Sequence, residues 1–577
     1  MQNKLKYIIA IILALSFTMS FAQERESDTI DAGTVNVVKP YTPTISDAFK
    51  IKETPSLNDS ITAKKKVIKY NIFSIPVAST FTPAKGKAAT VDKEKPVKLY
   101  DNYASLGVGT YTTILGEVYL NHALSRSERV GGYFSHHSSQ GDIDGINFDN
   151  NFSETGLNAY YSNKMKKKSW KVFGGLNFET YNWYGVPDQS IETFDVDHSF
   201  YTAEIGGEIK FDGDVSFDES IINKGSILFR RFGDDQDSGE NRFVLKSEFN
   251  IPVSDEVINT EITIDYLGGS FDRSYFAQEE LNYSNINFGV APSYQMKQDD
   301  LTISLGVNLV YLNDTEASES KFYIYPNITA SYRLVDELLI AYGGIEGGLI
   351  QNSYHAFAQE NSFVSPTLFI APTDQVYNAS IGLKGKLSNS MSYNISGHYL
   401  ADNNRALFKS NSLLGTPETN YQNGNSFGIV YDDVTTFSIA GELNVDMNRN
   451  FKLGLKAEYF AYDTDNEAEA WNLPDIKASA FLDYQINEHW FAGANFFFVG
   501  ERKDLFSQAG VLVPPTPITM TLDSYFDLNA HVGYKINNQL SAFVKANNIA
   551  NQEYQRWLNY PVQSIQFLAG ATYQFDF

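Results

Sequence analysis

The stretch YFDLNAHVGYKINNQLSAFVKANN, residues 525–548, alternates apolar and polar side chains on both sides of a short polar turn. Phe526, Leu528, Ala530, Val532, Tyr534 and Ile536 share one face, and Asp527, Asn529, His531 and Lys535 share the other. Successive side chains of an extended backbone point to opposite sides, so this period of two reads as a strand. Asn537, Asn538 and Gln539 turn the chain, and Leu540, Ala542, Val544 and Ala546 resume the apolar face.

The same unit recurs toward the N-terminus. Short turns fall at Asn487 and Glu488, Asn448 and Arg449, Ser388 and Asn389, Val335 and Asp336, and Gln298 and Asp299. Others fall at Ser254 and Asp255, Lys166 and Lys167, and Arg126 and Ser127, with a less regular one near Asp212. Longer loops rich in Asn, Asp and Gly separate these turns. Strict alternation of short turns and long loops is the mark of a transmembrane antiparallel β-barrel, with the short turns periplasmic and the long loops extracellular. About ten turns join about twenty strands; an opening strand near residues 103–110 and a closing one within 564–577 raise the count to about 22. The barrel is expected to occupy residues 101–577, with both ends on the periplasmic side. A closed barrel leaves no sheet edge unsatisfied in lipid.

The final residues, QFLAGATYQFDF (566–577), fit the closing strand. Phe567, Ala569, Ala571, Tyr573, Phe575 and Phe577 share the face expected to meet lipid, opposite Gln566, Leu568, Gly570, Thr572, Gln574 and Asp576. Tyr525, Tyr534 and Trp490, near strand ends, are expected in the interfacial aromatic girdles.

The N-terminus differs. Lys4 and Lys6 precede an apolar run over residues 7–15, and Ser20 and Ala22 supply the small residues of a cleavage site before Gln23. Residues 1–22 therefore read as a signal peptide; the competing reading, an anchor helix, is disfavoured by the short apolar run. The chain has no cysteine, which removes lipid attachment at cysteine and any disulfide framework. Residues 23–100 hold six of the 18 prolines and the run Lys64, Lys65, Lys66, a composition suited to an extended arm in the periplasm or the lumen. Short apolar pieces at residues 34–38 and 70–77 are able to dock as strands.

Charge divides the chain. The formal net charge is −24, yet residues 23–100 carry 13 basic and 9 acidic side chains, which leaves −30 on residues 101–577. Nucleic acid needs a basic face, so it is excluded as a partner.

Residues 524–575 resemble the last three strands of TonB-dependent receptors. The resemblance rests on Asn547 and Asn548 before Ile549, the NQEYQ stretch at 551–555, a polar loop, and a closing strand ending Tyr573-Gln574-Phe575. It covers this C-terminal tenth by motif and the rest of the barrel by pattern. It implies a gated outer-membrane pore that binds iron chelates, cobalamin or glycans and takes energy from the inner membrane. Tyr573, Phe575 and Phe577 resemble the C-terminal assembly signal, which implies the barrel-assembly machinery as a partner beside outer-membrane lipid. Thr34, Val35, Asn36, Val37 and Val38 resemble the box that pairs with TonB as an added strand. The family's plug domain is absent or strongly reduced here. Residues 23–100 are too short and lack its motifs, so inward-folded loops, the arm or a partner protein must fill the lumen.

Other chemistry is thinly represented. No GxxxxGK[ST], HExxH or GxSxG motif occurs, and without cysteine no CxxC; neither an enzyme nor a resident cofactor is expected. His136 and His137 are adjacent and would point to opposite faces of a strand, so they do not chelate one ion. Asp142, Asp144, Asp149, Asp463 and Asp465 lie in acidic loops with oxygen ligands suited to calcium but without EF-hand spacing. Asp234 and Asp235 have no evident partner for acid–base work. The expected function is ligand binding or import across the outer membrane. The alternative is a structural or assembly subunit that uses a receptor-type barrel as a scaffold in a larger outer-membrane complex. A passive pore of this width would be toxic.

Overall fold

Alternation has its expected consequence in the computed structural model, which describes residues 98–211, 221–254, 256–447, 450–506 and 517–577. Twenty-two strands form one closed antiparallel sheet. The first eight barrel strands are β1 (Asn102–Gly109), β2 (Ile114–Ala123), β3 (Glu128–Ser139), β4 (Phe152–Lys164), β5 (Lys168–Asn182), β6 (Asp197–Phe211), β7 (Ile222–Asp234) and β8 (Gly239–Val253). Next come β9 (Glu256–Phe271), β10 (Leu281–Gln298), β11 (Leu301–Asp314), β12 (Glu319–Val335), β13 (Leu339–Ile350), β14 (Thr373–Ser388), β15 (Met391–Ser410) and β16 (Phe427–Met447). β17 (Phe451–Thr464), β18 (Ile476–Gln485), β19 (Trp490–Val499), β22 (Tyr525–Lys535), β23 (Leu540–Asn547) and β26 (Gln566–Phe575) complete the wall. Two small hairpins stand outside it: β20 (Arg502–Phe506) with β21 (Ile518–Leu522), and β24 (Gln555–Trp557) with β25 (Tyr560–Pro561).

Each barrel strand pairs with its sequence neighbours, and β1 closes on β26 with Asn102 opposite Phe575 and Gly109 opposite Leu568. At the inner rim Lys98 meets Asp576 at 3.0 Å, and the Asp101 amide donates to Asp576 Oδ1 at 3.0 Å. The turns explain themselves chemically. Asn537 Oδ1 accepts from the amides of Gln539 and Leu540 at 2.8 and 2.9 Å. Asn487 Oδ1 does the same for His489 and Trp490, both at 2.9 Å. A short side-chain acceptor two residues back replaces the missing ladder bond. The turn residues Asn448, Arg449, Asp255 and Asp212 lie outside the described residues, between the ends of strands that are described.

The outer wall is apolar where sequence alternation predicts. Ile381 is 74% exposed, and Phe567, Tyr573 and Phe577 all stand outward on the closing strand. Leu568 and Thr572, on its other face, are buried. Trp490 and Tyr534 pack outward near the inner rim, tilted against each other with ring centroids 4.9 Å apart. Tyr525 departs from the girdle expectation. It lies on the polar-face parity of β22 and stacks on Tyr554 at 3.9 Å, because the last outer loop folds back over it.

The loop rule also needs correction. Of the eleven outer connections, those at 110–113, 235–238 and 315–318 are only four residues each. Six of the others, at 140–151, 183–196, 272–280, 351–372, 411–426 and 548–565, are longer and fold inward. β15 and β16, of 20 and 21 residues, rise past the roughly 25 Å apolar band of such barrels and support them.

The capped outer mouth as candidate functional site

The loops at 140–151, 183–196, 272–280, 351–372, 411–426 and 548–565 turn inward and share a single buried hydrophobic core with the outer ends of β6, β7 and β9. Trp183, Phe200, Phe232, Tyr354, Phe427 and Tyr560 are among its most deeply buried members, each 1% exposed or less. Every aromatic ring buried this way contributes a few kcal/mol of transfer free energy, about 1.5–3 each. The sequence supplies the rings inside polar loops, where a solvated loop would have no use for them.

The loop at 351–372 carries the one α-helix among the described residues, α1 (Tyr354–Glu360). Ser353 Oγ caps it by accepting from the Ala356 amide at 3.1 Å. Asn352 Nδ2 donates to Ala371 O and Thr373 Oγ1 at 2.7 and 2.9 Å, which ties the two ends of the loop together. The helix is fastened to the barrel wall through Tyr354. Its hydroxyl donates to Asp234 Oδ2 on β7 and its amide to Glu240 Oε2 on β8, both at 2.6 Å. Glu240 Oε2 also accepts from the Tyr283 hydroxyl at 3.0 Å. The Tyr354 ring sits against Phe232 and Phe271, with centroids 5.0 and 4.9 Å away. Beside it His355 packs edge-on to Phe232 at 5.1 Å. Burial, then the Arg230 and Arg242 guanidiniums, push its pKa down to about 3, so the imidazole is neutral.

A second junction forms at Tyr560 in the last outer loop. Its ring stacks on Phe363 of the α1 loop at 3.7 Å and meets Tyr184 edge-on at 4.8 Å. Its hydroxyl donates to Asn425 O, and Asn425 Nδ2 donates to Trp183 O at 2.7 Å. Four loops are thus joined by one tyrosine. Gly185 has to be glycine here, since a Cβ would strike the Tyr560 ring. The Arg273–Glu418 pair, at 2.9 Å, links a further loop, 272–280, to the 411–426 loop at the surface. Asn548, from the receptor-like motif, staples the last loop at its base: Nδ2 donates to Gln552 O and Gln563 O at 3.1 and 3.0 Å.

Below this cap the lumen is polar. Between β7 and β13 it holds a cavity of about 770 Å³, and Gln351 at the root of the α1 loop lies at its upper end.

The residues singled out in the sequence are scattered rather than gathered. His136 bonds Thr155 and Ser138 at 2.8 and 3.1 Å, while His137 packs on Phe152, so the two face apart as expected. Asp142, Asp144, Asp149, Asp463 and Asp465 are exposed. No group of three or more metal-ligating side chains forms among the described residues. Asp234 does have a positioned partner, contrary to the sequence reading: it is the anchor of Tyr354, 120 residues away, a distance at which no local pattern operates. Thr34 to Val38, and the arm up to residue 97, lie outside the described residues. Tyr354, Glu240 and Tyr560 went unnoticed in the sequence. The available signal was aromatic density within loops, together with Ser353 as a helix cap in a 22-residue connection.

No curated protein matches the chain. Among solved structures, the FrpB iron transporter from Neisseria meningitidis superposes with a TM-score of 0.61 at 10% identity, over 83% of this chain and 82% of that one. The ferric-catecholate import receptor Fiu from K12 E. coli gives 0.60 at 10% identity, over 82% of each chain. P. aeruginosa FpvA bound to heterologous pyoverdines gives 0.60 at 11% identity, over 84% of this chain and 72% of that one. At such identities the likeness speaks for the fold. The model of the TonB dependent receptor-like β-barrel family matches residues 90–549. With that match across most of a closed 22-stranded wall, the chain belongs to the TonB-dependent receptor-like β-barrel family, whose place is the Gram-negative outer membrane.

Proposed function

We propose that the protein is a gated receptor that binds a ligand at the cell surface and admits it across the outer membrane. The observation that carries this reading is the outer mouth, where the protein's own loops fold inward into one packed core above a polar-lined cavity of the lumen. An open barrel of this width would breach the permeability barrier. A cap held by hydrogen bonds and aromatic packing seals it reversibly, because a ligand that binds the open arrangement better shifts the population toward it. In this reading residues 1–22 are the removed signal peptide and residues 23–100 the periplasmic or lumenal arm. Thr34 to Val38 form the strand that adds to TonB, and Tyr573, Phe575 and Phe577 guide assembly.

Planar-bilayer conductance tests the gate. The full chain should be nearly silent, and replacing residues 351–372 with a short turn should open a large pore. If the cap-deleted protein is equally silent, gating by the loops fails and the scaffold reading takes its place. Binding of the full chain to a soluble periplasmic TonB domain, with and without residues 34–38, tests the energy coupling; unchanged binding removes the TonB box.

A further inference from the structure

The cavity beneath the cap has a wall whose charges are already engaged. Three carboxylates line it, and each has a cation. Arg242 donates to both oxygens of Asp265 at 2.9 and 2.6 Å. Glu261 lies 3.7 Å from Lys246, and Glu248 lies 3.4 Å from Lys224. What the wall still offers is neutral. The side chains of Asn250, Asn259, Asn308 and Asn327 border the cavity with no hydrogen-bond partner among the described residues.

A carboxamide presents two donors and an acceptor with no net charge, which matches a hydroxyl, itself donor and acceptor. A charged ligand fits poorly. It would have to break an existing ion pair, of which the largely buried Arg242–Asp265 pair is the most costly to open, or lie in the lumen without a counter-ion. The route from outside selects in the same direction. The eleven outer connections carry 22 acidic and 4 basic side chains, a field that repels anions before they reach the mouth. Cations are drawn to that face, but find every carboxylate on the cavity wall taken.

We propose that this wall, on β7 to β13, is the ligand-binding surface of the lumen, and that its ligand is an uncharged, polyhydroxylated chain of oligosaccharide type rather than an anionic metal chelate. The proposal rests on the uptake reading above and narrows it to a chemical class. The cavity volume lies within the usual range for ligand sites, about 300–1,000 Å³.

The test is saturation-transfer NMR on the full chain in lipid nanodiscs. Maltohexaose serves as the neutral probe and gallium citrate as a diamagnetic anionic chelate. Maltohexaose should receive saturation and gallium citrate should not. Asn259→Leu combined with Asn308→Leu should weaken maltohexaose binding roughly tenfold, the effect of losing one or two net hydrogen bonds. Asp265→Asn should release Arg242 and bring gallium citrate binding into view, a gain that misfolding cannot produce. The proposal is overturned if gallium citrate binds the unmodified chain in preference, if maltohexaose does not bind, or if the double leucine variant binds it unchanged. Such a failure leaves the uptake reading intact, since that reading stands or falls on the cap-deletion conductance.

Discussion

The hydroxyl of Tyr354 donates to Asp234 across 2.6 Å and fastens a seven-residue helix to the barrel wall. A helix this short does not persist by itself in water, since nucleation outweighs the few bonds it makes. Its order comes from the wall. A donor aimed at a carboxylate is worth more than a neutral pair, and Asp234 and Glu240 take both donors of one residue.

Tyr354→Phe keeps the ring and removes one of those donors. A buried carboxylate oxygen then loses its partner, at a cost of about 1–3 kcal/mol. The amides of Phe357 and Asn361, bonded within α1, should exchange roughly ten- to a hundredfold faster. Bilayer recordings should show brief openings. Exchange at the unmodified rate would mean that the ring packing alone holds the helix.

Gly185→Ala should loosen the cap from its other side. The new methyl has nowhere to go except into Tyr560, whose stack with Phe363 must then open. Overpacking of this kind costs about 1–3 kcal/mol. Gly415→Ala is the control, because its Cβ meets nothing within 4 Å. Protease nicking of the outer loops on intact cells should rise for the first variant only.

The hairpin of β20 and β21 should be sensitive to pH. Burial pushes the Asp504 carboxyl up to about 6, although its Oδ1 accepts from the Ser410 and Leu505 amides at 2.9 and 2.7 Å. Oδ2 has no partner, and neither has Oδ1 of Asn472, the side chain beside it. An acid whose folded pKa lies above its unfolded value near 3.9 takes up a proton on folding, so stability falls between about pH 4 and pH 6 and is level above. Asp504→Asn imitates the neutral form and supplies a donor for Asn472. It should protect the Ser410 and Leu505 amides more than the unmodified chain does at pH 7.5, with the difference shrinking at pH 4.5. A difference that persists unchanged at pH 4.5 would show that the carboxyl stays ionised there, against the raised pKa.

The two faces of β14 should respond oppositely to charge. Ile381 is exposed at mid-strand on the outer wall, and Ile381→Lys should destabilise the barrel by about 2–4 kcal/mol in lipid. Ser380→Lys, one residue away and facing the lumen, should cost under about 1 kcal/mol. Urea unfolding in vesicles distinguishes them; equal losses would reverse the assignment of faces.

Deleting Phe577 should separate assembly from stability. The residue is 74% exposed and meets the rings of His122 and Phe575 edge-on. Membrane-inserted yield in cells should drop, with the unfolding midpoint of the purified barrel unchanged. A shifted midpoint with normal yield would give the aromatic end a packing role instead.

Legibility followed the range of the interactions. Strand alternation, the Asn caps at 487 and 537 and the aromatic end at 573–577 are local, written within a few residues, and the barrel wall was read from them. Closure of β1 on β26 was legible too, because a sheet in lipid must leave no free edge. The girdle role given to Tyr525 failed because the loop carrying Tyr554 returns from thirty residues away to cover it.

By itself, the sequence determined that this chain is an outer-membrane barrel of about 22 strands, since period two and the alternation of connections are properties of consecutive residues. Only the tertiary structure decided what fills the outer mouth. Asp234 finding Tyr354, Tyr560 joining four loops, and Asp265 neutralising Arg242 are contacts between strands and loops that the barrel's curvature brings together. Their partners share no spacing in the chain, so no periodicity records them.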